Sequence, residues 1–266
     1  MKNLVLFKAE LRRTFLNDSI NSFYLFSMIL WPVVSFIQLG YNYQIFPIES
    51  LKIAGIHSQK ELLYFVFIGY CALTFFQNIV QSAWRLGYER QQGTLSQIFM
   101  TPVNKLKWLY SRTFAMLFGN AWFFLLLFII GNLWYTGITI RSLLTVLLSA
   151  ILISVGGLVW GAFIVSFFVI LRDGTILYVF LEGPQEAFSG VKVPLSASPI
   201  LIRIIGSVFP LSYTIIFLRN LLVTKQSFAV ESLYFFGINS FLILLTTVIL
   251  KYGETYMRKT GNFDLY

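Results

Sequence analysis

Charge is scarce in this chain: 12% of its 266 residues are Asp, Glu, Lys or Arg, about half the usual soluble share of roughly 25%. With 57% hydrophobic residues, it cannot cover itself with a solvated surface, so lipid has to be part of its solvent. Cysteine is almost missing. Cys71 stands alone in an apolar run, which excludes an intramolecular disulfide and a thiolate metal cluster. There is one histidine, His57, so neither a zinc site nor a Ser-His-Asp triad can be assembled. No glycine is followed by lysine, which excludes the phosphate-cradling P-loop. The acids at Asp18, Glu49, Glu89, Asp173 and Glu254 are scattered, and no pair of them converges for hydrolytic chemistry. No enzymatic role follows from such a set. Any energy the protein uses has to arrive from elsewhere.

What the chain has is length without polarity. Ile20–Gly40, Glu61–Ala83, Tyr110–Leu133, Ser142–Ile170, Thr175–Ala187 and Leu233–Lys251 are apolar segments. A helix needs about 20 such residues to cross roughly 30 Å of hydrocarbon. Five of the six satisfy this, and the fifth is short and is expected to break at Gly183-Pro184. The reading is an all-α polytopic membrane protein with six transmembrane helices. Between the last two spans, the stretch 188–228 is apolar but cut by Pro194, Pro199 and Pro210. It reads as short re-entrant or interfacial helices, tolerable only where protein covers the backbone. No soluble domain and no internal repeat is visible, so residues 1–266 form a single transmembrane domain.

The net charge of +9 would suggest nucleic acid in a soluble protein; here it reflects orientation and anionic headgroups. With both termini placed in the cytoplasm, thirteen of the 20 Lys and Arg fall inside, in keeping with the positive-inside rule for short loops. The first residues do not read as a secretory signal, because charges interrupt them. Leu4, Phe7, Leu11 and Phe15 recur at helical spacing with Lys8, Arg12 and Arg13 off the stripe. This predicts an amphipathic interface helix over 1–19.

The one long polar stretch between spans, "YERQQGTLSQIFMTPVNKLK", lies in the loop 84–109. Thr94-Leu-Ser-Gln97 has the form of a capping box after Gly93. Leu95, Ile98 and Phe99 follow at spacings that give one apolar face. Pro102 stops the helix, and Thr101-Pro102 opens the next one. Such a braced helix of about two turns reads either as a connector whose apolar face dips into the membrane or, since loops need no such bracing, as a docking element.

At these residues the chain resembles the ABC-2 type permeases, the membrane subunits of ABC exporters. Glu89, Gly93, Thr94, Leu95, Ile98, Thr101 and Pro102 follow that family's pattern between its second and third spans, with Ile98 in place of the usual Leu. Phe188-Ser189-Gly190, Pro194, Ser198-Pro199, Pro210-Leu211-Ser212-Tyr213 and Arg219 follow its second pattern. The resemblance implies a bacterial plasma-membrane permease that pairs with a second copy or paralogue. It implies separate ABC ATPase subunits that bind ATP and Mg, with no cofactor in this chain and no nucleic-acid partner. Glu89, Arg90, Gly93, Thr94, Leu95, Ile98, Phe99, Thr101 and Pro102 would then form the ATPase-coupling interface. Glu89 would be braced by Arg85, Arg90 or the Lys8/Arg12/Arg13 cluster.

For the pathway, Glu182 and Glu186 share a helical face, and buried membrane carboxylates are functional candidates. Arg203 and Arg219 in the external stretch could pass a phosphate or carboxylate, or snorkel to headgroups. Trp31-Pro32 is a potential kink, and Gly157-x-x-x-Gly161 a packing face. Phe outnumbers Tyr and Trp together, 28 to 20, and lacks their polar handle. That favours an amphipathic or hydrophobic cargo such as a drug, lipid or peptide. A lipid-linked glycan or teichoic-acid-like polymer is the alternative, and proton-coupled transport through Glu182 a further one.

Overall fold

A computed structural model describes residues 2–18, 22–44, 56–171, 175–224 and 229–260. Glu49, Lys52, Arg172, Asp173 and Lys225 lie outside the described residues, as do the side chains of Leu4 and Asp18. The described residues are helical with no strand: α1 (Lys2–Asp18), α2 (Ser22–Gln44), α3 (Gln59–Gln91), α4 (Thr94–Met100), α5 (Lys105–Met116), α6 (Trp122–Thr136), α7 (Ile140–Ile170), α8 (Thr175–Phe188), α9 (Ile200–Gly206), α10 (Pro210–Arg219) and α11 (Ala229–Thr260).

Three helices are each long and apolar enough to cross a membrane, α3, α7 and α11. Two bent pairs, α5 with α6 and α9 with α10, raise the number to five. Among the described residues this gives a membrane protein with three to five candidate spans; six were expected. α8 has 14 residues, about 21 Å of helix, too short to span alone. It does not break at Gly183-Pro184 as expected; the helix continues through Pro184. α2 likewise runs on through Pro32 over the expected first span.

The core forms where α3 and α7 lie along each other, with α10 and α11 against α7. Phe75, Phe76, Phe128 and Phe235 are fully buried there. Close approach depends on small residues: a Cβ on Gly157 would fall 2.7 Å from Phe75, and one on Gly161 2.5 Å from Ile79. The small-xxx-small face of α7 is therefore spent on packing within the chain. α10 is buried on nearly every side, whereas α9, bent away from it by 103°, exposes Ile200, Leu201 and Ile204. The stretch 188–224 thus divides into a buried arm and an exposed arm.

α1 packs on α5 and on the π-helical turn Leu117–Ala121 that joins α5 to α6. Its inward face is not the simple apolar stripe expected. Phe7 meets Phe114 at 5.3 Å, but Glu10 and Thr14 are buried beside it while Phe15 is exposed. A buried acid calls for partners, and these lie at the same end of the molecule.

Candidate functional site

α3 runs eight residues past the expected end of its span, so the motif glutamate Glu89 sits on its last turns rather than in a loop. Arg112 Nη1 of α5 donates to both Glu89 carboxylate oxygens, at 2.9 and 2.8 Å, and Arg13 Nη2 of α1 reaches the same group at 2.8 Å. Arg13 also pairs with Glu10 at 2.9 Å, and Glu10 accepts from the Trp108 indole at 3.0 Å. Arg112 donates a further bond to the Ser82 carbonyl at 3.2 Å. Two carboxylates and two guanidiniums thus tie α1, α3 and α5 together. Arg112 is 1% exposed, and burial at that depth is tolerable only because its charge is matched and hydrogen-bonded. Arg13 belongs to the expected bracing cluster; Arg112 does not.

Arg90 turns inward rather than toward a docking surface. Its guanidinium donates to the carbonyls of Val169 and Leu171, sealing the end of α7, where helix carbonyls lack intrahelical donors. α3, α5 and α7 are therefore joined at the level where α4 begins.

The capping box over Thr94–Gln97 does not form. Gly93 is the N-cap, in the left-handed region at φ 69°, which glycine enters without a Cβ clash. The chain leaves α3 and enters α4 through Gln92 and this left-handed glycine, leaving no extended N-cap for Thr94 to supply. Thr94 Oγ1 instead donates back to the Glu89 carbonyl at 3.0 Å, and Ser96 Oγ donates to the Gly93 carbonyl at 2.7 Å. At the far end, Lys105 Nζ donates to the carbonyls of Ile98 and Thr101 at 2.9 and 2.7 Å. α4 is braced at both ends, by other groups than those expected.

The apolar face of α4 also points the other way. Leu95 is 0% exposed and Phe99 is buried edge-on against Trp108 at 6.0 Å, while Ile98 is half-buried. The face that the sequence offered to a partner anchors the helix to its own chain. What α4 presents outward is Gln97 and Met100 (79% exposed), followed by exposed Thr101 and Pro102 just past its end.

A second polar set lies between α2, α3 and α8. A cavity of about 360 Å³ is lined from α2 by Ser35, Gln38 and Asn42, and from α3 by Tyr70, Thr74 and Gln77. Glu186 of α8 and Lys192 close one side, paired at 2.7 Å. Glu182 flanks the groove, accepting from Gln77 Nε2 at 2.9 Å. The two candidate carboxylates therefore meet at one groove.

The two arginines do not join them. Arg219 is buried, donating to the carbonyls of Gly190, Phe65 and Val191 at 2.6, 3.0 and 2.9 Å, with its guanidinium over the Phe65 ring at 3.3 Å. It neither snorkels nor faces a pathway; it pins the 190–191 turn onto α3. Gly69 makes room for this, since a Cβ there would fall 2.5 Å from the Val191 carbonyl oxygen and 2.7 Å from Arg219 Nη2. Arg203 is exposed but committed, donating to the Ser198 and Ser196 carbonyls at 2.8 Å each.

Sequence reasoning missed Arg112, Glu10 and Lys105, and it missed the polar stripes. Ser35, Gln38 and Asn42 recur at i, i+3, i+7, and Tyr70, Thr74 and Gln77 at i, i+4, i+7. That periodicity inside apolar segments was the available signal. Among the described residues no group of three or more His, Cys, Asp or Glu could hold a metal ion. No family model matches the chain, and no curated protein and no solved structure matches it.

Proposed function

We propose that this chain is the transmembrane permease subunit of an ATP-driven ABC exporter. It moves an amphipathic substrate out of the cytoplasm or the inner leaflet of a bacterial plasma membrane. The observation that carries the reading is α4: a short helix clamped at both ends, rooted by Leu95 and Phe99, and offering Met100 and its neighbours outward. Force applied at Met100 would pass through Phe99 to Trp108 and α5, and through Gly93 and Thr94 to α3. A separate ATPase subunit supplies that force, with its own ATP and Mg. Both termini and α4 lie on the cytoplasmic side, in line with the Lys and Arg distribution.

A second permease copy or paralogue completes the assembly. Gln38 and Asn42 are exposed on α2 beside exposed Ile37 and Tyr41. Carboxamides facing hydrocarbon are costly, whereas a facing subunit or a wet passage satisfies them. The cargo route then runs past Glu182 and Glu186, with Arg203 and Arg219 holding its outer walls.

The test is co-purification with a candidate ABC ATPase subunit, followed by ATP hydrolysis in nanodiscs. Met100→Asp changes an exposed side chain and is expected to cut ATPase binding or stimulated hydrolysis at least tenfold at unchanged thermal stability. Retention of both in Met100→Asp and in Gln97→Glu would overturn the coupling role.

A further inference from the structure

We infer that the groove between α2, α3 and α8 binds a neutral, hydroxyl-rich group, a sugar or polyol, as the head of the transported molecule. The inference deepens the transport reading and rests on it only in taking this groove as the cargo's passage. It reverses the tilt of the composition, because the chain-wide excess of Phe says nothing about what lines one cavity.

The polar part of the lining decides the chemistry, since Leu39, Val66, Leu73 and Val191 supply only apolar wall. Ser35, Gln38, Asn42, Thr74 and Gln77 carry hydroxyls and carboxamides, groups that donate and accept at once. Sugars and polyols present the same dual chemistry at every hydroxyl. Gln38 and Asn42 make no side-chain hydrogen bond to any described residue. Gln77 spends one N–H on Glu182 and keeps its remaining capacity. The Thr74 hydroxyl donates to the Tyr70 carbonyl at 2.8 Å, leaving its oxygen free to accept. Ser35 is hydrogen-bonded to Tyr70, so the unspent capacity lies chiefly at Gln38, Asn42 and Gln77.

Its charge is balanced. Glu186 and Lys192 neutralise each other at 2.7 Å, and the Glu182 carboxylate is engaged by Gln77 and by Tyr178. A cation would have to break one of these bonds to gain a counter-charge, and an anion would meet Glu182 and Glu186. Both are disfavoured relative to a neutral donor–acceptor ligand. A site built to hydrogen-bond hydroxyls also rejects apolar ligands, because its own groups would be left unpaired. The volume of about 360 Å³ falls at the lower end of ligand cavities, roughly 300–1,000 Å³, and suits a single headgroup rather than a whole amphiphile.

The experiment uses the full chain alone in phosphatidylcholine nanodiscs, without ATPase or nucleotide. Three fluorescent lipids with identical acyl chains are titrated, bearing glucose, trimethylammonium or phosphoglycerol heads, and maltohexaose serves as a soluble competitor. The expected result is that the glucosyl lipid binds at least tenfold tighter than the other two. Gln38→Leu and Asn42→Leu, both at exposed positions, should weaken it about tenfold and leave the others unchanged. Displacement by maltohexaose would assign a free saccharide, and failure to displace a glycolipid; both support the inference. Preference for the trimethylammonium lipid, equal binding of all three, or indifference to both variants would overturn it. Headgroup-selective binding alongside indifferent ATPase coupling would sink the exporter reading alone. Intact coupling without headgroup selectivity would sink this inference alone.

Discussion

The two polar regions of this molecule are built from similar material and finished differently. At the α1, α3, α5 end, charge meets charge: Glu89 holds Arg13 and Arg112, Glu10 holds Arg13 and Trp108, and Lys105 and Arg90 close helix ends. At the α2, α3, α8 groove, uncharged groups and one ion pair, Glu186–Lys192, line an open volume, and Gln38 and Asn42 make no side-chain hydrogen bond to a described residue. A spent network fixes helices relative to one another, so it suits transmission of force. An unspent one retains capacity for a ligand. The difference predicts opposite responses to mutation: the first region should be costly to change and the second cheap, except to binding.

The largest effect is expected at Glu89. Glu89→Ala leaves Arg112 buried without a carboxylate, and removal of one partner of a buried pair costs about 3–5 kcal/mol. Thermal unfolding of the purified chain in detergent should fall by roughly 10 °C. A shift of less than a degree or two would mean that the bracket does not hold α1 and α5 to α3, and the contrast between the regions would collapse.

Next comes the clamp around Arg219. Gly69→Ala puts a methyl against the Val191 carbonyl and the guanidinium, an overpacking that costs about 1–3 kcal/mol. Gly87, on the same helix, has nothing within 4 Å of an added Cβ. Gly87→Ala should therefore be neutral or stabilising, by up to about 1 kcal/mol. Equal responses of the two variants in the same unfolding assay would refute the clamp.

The comparison also explains what could be read in advance. Apolar length located α3, α7, α11 and the α5–α6 pair, because hydrophobic segments report themselves locally. Helical spacing showed that Leu95, Ile98 and Phe99 share a face, but periodicity does not say whether such a face meets a partner or its own core. Trp108, nine residues beyond Phe99, settles that in space. The capping box failed for a geometric reason, since α3 continues to Gln91 and leaves Gln92 and the left-handed Gly93 as the whole link to α4. Arg219 was legible as a motif residue, yet its partners at Phe65 and Gly190 are carbonyls, which no side-chain pattern announces. Pro184 was read as a break, and helix formation through it reflects packing that local propensity does not contain.

A smaller effect belongs to the hinge itself. Gly93→Ala strains a backbone held at φ 69° and should cost about 1 kcal/mol, with Gly93→Asn milder because asparagine tolerates that region. Stimulated ATP hydrolysis should fall in the same order, since the angle of α4 is set there. Hydrolysis that falls equally in both, or in neither, would detach the hinge geometry from coupling.

The smallest effect on stability, and the sharpest on function, is expected in the groove. Gln38 and Asn42 contribute no bond to the described structure, so Gln38→Leu and Asn42→Leu should move the unfolding temperature by no more than a surface change does, within about ±0.5 kcal/mol. If instead either variant unfolds the chain, the carboxamides are structural, and the groove is another spent network like the one around Glu89. If stability holds while transport in proteoliposomes falls tenfold, unpartnered polar groups at membrane depth are there for a ligand. The two regions would then be separable, one carrying force and the other carrying recognition, along the single helix α3 that reaches both.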